Sequence, residues 1–264
     1  MSALMTKSLR DQRRSMIGWA IGLAGVALMY AAVYPSIKAS AADLNAYVEK
    51  LPDAFKSLIG GEDYASPAGY LRSEFFSTMG PLLLLIFAIG SGARAVAGEE
   101  ENRTLDLLLS TPVRRRAVLQ DKAVAIVVTA LVLGVTAFAA VAAFGPLFDL
   151  SLPWADLAAA CLMLVLLGVT FGAIALAVGA ATGRRVLANS AAGGFAVVAF
   201  IVNALAPSVS WLEPVRPLSP IRWYMEPDPL LTGLHPANVA VLLGATALMY
   251  VVANVAFLRR DLAS

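Results

Sequence analysis

Residues 97–118, AGEEENRTLDLLLSTPVRRRAV, gather a run of three acids, a leucine cluster, a Thr-Pro step and a run of three arginines into a short connector. The spacing suits docking chemistry. Glu99, Glu100 and Glu101 hold the backbone in water, and Asn102 or Thr104 can cap a short helix whose first turn carries Asp106. Leu105, Leu108 and Leu109 fall at i, i+3 and i+4, on one face. Thr111 and Pro112 read as the N-cap and first residue of the next helix, so two breaks bracket about a turn and a half. Such a helix is too short to be stable alone and needs a surface to cover its leucines, each worth about 1.5–3 kcal/mol when fully buried. Two surfaces qualify. One is a groove on a partner protein, which makes the segment a mechanical coupler; the other is the lipid interface, with Arg114, Arg115 and Arg116 as anchors. The residues alone leave both open.

Bond-making chemistry finds little support. His235 is the sole histidine and lies in a proline-rich stretch, where a loop residue is expected before a catalytic base. Cys161 is the sole cysteine and falls within an apolar run, so neither an internal disulfide nor a thiolate metal cluster can form. Ser/His dyads, metal-ligand clusters and the phosphate-cradling GxxxxGK[ST] pattern are missing from the sequence. No enzyme activity and no bound cofactor are expected of this chain. ATP could drive it only through a partner.

The connector must be positioned by membrane helices. Of the 264 residues, 59% are hydrophobic and 14% charged, and the mean hydropathy is +0.75, far from an average soluble domain. A span needs about 20 mainly apolar residues, and six runs qualify, at residues 16–34, 79–97, 117–144, 157–182, 186–206 and 239–258. Each is expected to be a helix, because lipid leaves no open backbone group satisfied. The first run exceeds the apolar core of a signal peptide and reads as a permanent span. With the N-terminus in the cytoplasm, 14 of the 20 Lys and Arg residues fall on the inner side and 6 on the outer, which places both termini inside. The net charge of +2 then reflects topology, and no nucleic-acid partner is expected.

Lys122 is counted to the inner side, next to Asp121, and Arg94 lies within about a turn of the inner boundary. Beyond these ends the apolar cores carry no ionisable side chain other than cysteine and tyrosine, which disfavours an ion-coupled carrier. Small residues recur at close-packing intervals: Gly18 and Gly22 in the first run, Gly168 and Gly172 in the fourth, Gly193 and Gly194 in the fifth. They permit helix contact within the chain or across a dimer.

Outside the spans, residues 1–15 set Leu4, Met5 and Leu9 among cations, which suits an amphipathic helix at the inner interface or a solvated basic tail. Residues 35–78 are the longest hydrophilic stretch, with a helical pattern over residues 44–59 that would make a small external cap. Residues 207–236 hold half of the 14 prolines, so no long helix survives there. Broken half-helices packed on the spans, or a plain interfacial loop, are expected.

The connector, together with GYLRSEFFSTMGPLLLLIFAIGSGARAVAGEE before it and LSPIRWYMEPDPLLTGL near the last span, resembles the permease subunit of type-2 ABC exporters, the ABC2 membrane family. The likeness extends over almost the whole chain in length, span order and loop lengths. It departs at Asn102-Arg103, where the family often carries Gly before Thr104. The resemblance implies an all-α membrane protein: six transmembrane helices, an N-terminal interfacial amphipathic helix, a short cytoplasmic coupling helix and a broken outer hairpin before the last span. It implies ATP-driven export of a hydrophobic or amphipathic substrate such as a drug, natural product or lipid, along a path shared with a second permease chain, the same or different. Partner ABC ATP-binding subunits would bind ATP and Mg, and the surroundings would be lipid of the bacterial cytoplasmic membrane. Carried onto this sequence, Glu99, Glu100, Glu101, Thr104, Leu105, Leu108 and Leu109 would couple to the ATPase, with Arg10 and Arg13 as a second contact. Trp211, Pro220, Trp223 and Tyr224 would belong to the outer gate. A membrane scaffold that docks a cytoplasmic partner without transport is the alternative.

Overall fold

The computed structural model describes residues 3–40, 64, 66–101 and 115–259, and every regular element among them is helical. Six helices are long and apolar enough to cross a membrane. They are α1 (Ala3–Ala39), α2 (Pro67–Glu101), α3 (Arg115–Phe144), α4 (Trp154–Thr182), α5 (Arg185–Leu205) and α8 (Pro236–Arg259). Between α5 and α8 lie two 3₁₀ turns, Ala206–Ser208 and Glu213–Leu218, and the short helices α6 (Pro220–Met225) and α7 (Pro229–Thr232). The spans alternate in direction, so Arg13, Arg14, Glu99–Glu101, Arg184, Arg185 and Arg259 collect at one end, the basic end. The short helices close the other, the proline-rich end.

Helix α4 is apolar on every face and is therefore the one the others enclose. It packs against α2, α3, α5, α7 and α8, whereas α1 lies on α3. Two glycines set the closest approach of helix backbones: a Cβ added to Gly92 of α2 would overlap the Gly172 carbonyl of α4, and one added to Gly172 would come within 2.7 Å of Ile126 on α3. One turn away, a Cβ on Gly168 would meet Leu84 at 2.8 Å. Backbones approach this closely only where side chains are missing. Gly18 and Gly22 behave otherwise, because an added Cβ meets no atom of the described residues within 4 Å. Their expected role in packing is therefore not met among the described residues.

Two boundaries differ from the sequence reading. Residues 3–15 do not form a separate interfacial helix but run unbroken into the first span. Neither Pro nor Gly occurs between Ala3 and Gly18, so nothing stops propagation, and the helix reaches about 55 Å, well past the hydrocarbon layer. Helix α2 begins at Pro67, in what reads as an external loop. Ser66 caps it by accepting from the Gly69 N–H at 3.0 Å, and Tyr70, Leu71, Phe75 and Phe76 are buried.

The charged stretch Arg72–Met79 continues the helix as wide π turns. Pro81 supplies no N–H for the Ser77 carbonyl and its ring crowds that group. The chain widens, and the Gly80 N–H donates to the Phe75 carbonyl, five residues back. Phe76 thereby loses its regular helical donor. A second wide stretch, Arg94–Gly98, follows near the basic end.

Candidate functional site

An apolar groove of about 570 Å³ runs between α2 and α5 and is closed at one end by α6. Leu82, Ile86 and Ile89 of α2 face Gly193, Val197 and Phe200 of α5 across it, and among the described residues no charged side chain lines it. Ser77, Thr78 and Asn189 supply its few hydrogen-bonding groups, with the Tyr224 ring at the closed end. Gly193 makes room, since an added Cβ would meet no atom of the described residues within 4 Å. Such a wall accommodates flat or flexible apolar molecules and offers no ion a partner.

The closed end is fixed by polar contacts that hold α6 and α7 to the spans. The Tyr224 hydroxyl donates to the Phe76 carbonyl at 2.6 Å, replacing the donor that the π turns removed. Burial pushes the Tyr224 phenol well above its ordinary pKa, so it stays a donor. Arg72 of α2 pairs with Asp228 at 3.1 Å, and Asp228 also accepts from the Leu230 N–H at 2.9 Å, capping α7. Burial raises the Asp228 pKa, opposed by the Leu230 hydrogen bond and by Arg72. Arg216 is buried, pairs with Glu226 and donates to the Asn203 side chain of α5 at 3.4 Å. At the start of α2 the Tyr64 hydroxyl donates to Glu74 at 2.6 Å; burial, then this bond, raises its pKa.

The basic end binds the same two walls together. Glu99, at the foot of α2, pairs with Lys122 of α3. The Glu101 carboxylate accepts from the backbone N–H of Arg185 at 2.9 Å, which caps the N-terminus of α5. Ser91 donates to Gln12 of α1 at 2.9 Å. The acid run therefore ties the start of the connector to the helices on either side.

The family of ABC-2 family transporter proteins matches the chain over residues 2–262. The chain belongs to the ABC-2 transporter family. No curated protein matches it. It is thus the permease of an ABC transporter, a multi-pass membrane component distinct from the ATPase, and membership implies association with ATP-binding subunits.

In this ABC-2 permease the sequence-derived residues fall into three groups. Glu99, Glu100 and Glu101 end α2 at the basic end, and Arg13 is exposed nearby on α1. Thr104, Leu105, Leu108 and Leu109 lie outside the described residues, as do the Arg10 side chain and the helical pattern of residues 44–59. At the proline-rich end, Pro220 and Tyr224 are buried in α6 and Trp223 is partly covered, its indole donating to the Pro217 carbonyl at 2.7 Å. Trp211 stands apart: it is 75% exposed and lines no part of the groove.

Sequence reasoning missed Lys122, Arg72, Arg216, Asp228 and the capping of α5 by Glu101. A signal existed for Lys122, a lysine inside an apolar run that needs a carboxylate at matching depth. None existed for Glu101, whose partner is a backbone group.

Proposed function

We propose that this ABC-2 permease exports a hydrophobic or amphipathic molecule, such as a drug, a natural product or a lipid, across the bacterial cytoplasmic membrane. The basic end faces the cytoplasm, with both termini. A second permease chain, identical or different, closes the open side of the α2/α5 groove to complete the path, and cytoplasmic ATP-binding subunits that hold ATP and Mg drive it. The observation that carries this reading is the groove itself: apolar, uncharged and walled by the two helices whose feet meet at Glu101 and Arg185.

The coupling follows from that junction. The connector segment with Thr104, Leu105, Leu108 and Leu109 docks on the ATPase, and Arg10 and Arg13 supply a second contact. Its movement pulls on Glu99–Glu101, hence on α2 directly and on α5 through the Glu101 cap. At the far end, Pro220, Trp223 and Tyr224 form a roof that must yield for release, and Trp211 marks its rim.

The test is reconstitution of the permease with its ATPase in liposomes and measurement of ATP-dependent flux of apolar dyes. Gly193→Phe, which fills the groove, is expected to abolish flux while ATP hydrolysis continues. If the ATPase binds and turns over but no substrate moves with any probe, the protein is a docking scaffold and the transport reading fails.

A further inference from the structure

Two cavities outside the groove meet on α1 near the basic end. The first, about 380 Å³, is an open apolar channel along Gly18, Trp19, Gly22 and Val26 of α1 with Leu83 of α2, and Arg14 stands at its mouth. The second, about 200 Å³, is partly polar: Gln12, Ser91, Arg94, Glu99 and Lys122 line it together with the apolar Ala95, Ala125 and Ile126. Ser15 lines both. Lys122 is balanced by Glu99, which leaves Arg94 as the excess charge of the polar chamber and Arg14 as that of the channel. Neither arginine pairs with a carboxylate among the described residues; the Arg94 Nε donates only to its own helix, at the Gly90 carbonyl, 3.0 Å away.

We propose that this pair of cavities binds one anionic glycerophospholipid from the leaflet at the basic end. The phosphodiester lies between Arg14 and Arg94 at the mouth of the polar chamber, and an acyl chain follows the channel over Gly18 and Gly22. The choice of occupant rests on charge and shape together. A transmembrane helix would fill the glycine face but bring nothing to two arginines at interfacial depth, whereas a free anion would leave the channel uncovered. Basic pockets between membrane helices are suited to anionic headgroups, and removing one arginine near the surface weakens such binding about fivefold. The Gly18 and Gly22 face is shaped to lie under a chain because no atom of the described residues covers it. This site needs a bilayer and no transport activity, so its loss and the loss of ATP-driven flux are separate results.

The experiment is native mass spectrometry of the purified full chain titrated with dioleoyl phosphatidylglycerol or dioleoyl phosphatidylcholine, with inorganic phosphate as competitor. The wild-type protein is expected to retain one phosphatidylglycerol in preference to phosphatidylcholine and to keep it against phosphate. Arg14→Gln and Arg94→Gln should each weaken phosphatidylglycerol binding about fivefold and leave phosphatidylcholine unchanged. Gly18→Leu, which has open space for its side chain, should weaken both lipids. Arg259→Gln, also at the basic end but on α8, should weaken neither. Equal retention of the two lipids by wild-type protein, or arginine variants that bind as wild type, would overturn the proposal. So would displacement by phosphate alone, or a Gly18→Leu variant that loses a dimer while keeping its lipid, which would hand the face to a second helix.

Discussion

At the level of single residues, the charges that matter are those drawn in from the loops. Asp228 binds a proton more readily in the fold than in the unfolded chain, because burial raises its pKa against the pull of Leu230 and Arg72. Its contribution to stability is therefore complete below the ordinary carboxylate pKa and is lost as pH rises through the raised value. Asp228→Asn keeps an acceptor for the Leu230 N–H and has no proton to lose. The thermal midpoint of the variant relative to wild type should therefore rise as pH goes from about 4 to 7; a constant difference would contradict the assignment. Lys122 is the second case. Lys122→Met removes the cation paired with the mostly covered Glu99 carboxylate and should cost about 3 kcal/mol in denaturant unfolding, and most of that loss should return in the double variant Lys122→Met/Glu99→Gln. Asp228 does not announce itself by composition and becomes legible only when Arg72, 156 positions earlier, is placed beside it, whereas Lys122 is marked by lying inside an apolar run.

Among the elements, the six spans were legible because hydrocarbon demands long uncharged runs, and the sequence supplies them without ambiguity. The early start of α2 was not. Arg72 and Glu74 interrupt its pattern, and only Asp228, 156 positions after Arg72, and Tyr64 make those charges tolerable on a packed helix. The groove was equally hidden, because it exists only once α2 and α5 stand side by side. Of the glycine pairs, spacing alone could not separate Gly168 and Gly172, which lie in close crossings, from Gly18 and Gly22, which face open space. Gly92, outside any GxxxG pair with those residues, makes the tightest approach to another helix's backbone. Gly92→Leu should therefore abolish recovery of folded protein from detergent, judged by gel filtration, whereas Gly22→Leu should leave the profile unchanged. The connector carries its own prediction. Leu105→Asp together with Leu108→Asp should abolish co-purification of the ATPase without preventing membrane insertion, and an intact complex would remove these leucines from the coupler.

For the molecule as a whole, the six spans among the described residues put the two ends of the bundle's chain on one side, and the excess of Lys and Arg there is the ground for our proposal that this side faces the cytoplasm. Tags at either terminus should resist protease in intact cells and be cleaved after lysis; cleavage of one tag in intact cells would break the proposed topology. Within this arrangement the widened turns of Arg72–Met79 set the rotational phase of everything that follows on α2. One extra residue in a helix turns the rest by about 100°, so the Gly92 contact with Gly172 and the groove wall at Leu82, Ile86 and Ile89 depend on a count made near the opposite end. Deleting a single residue there would leave composition and hydropathy almost untouched while swinging glycines toward lipid and leucines toward the crossing. For this helix, length is itself a coded quantity, and an alignment gap in that stretch would signal a different set of inward faces.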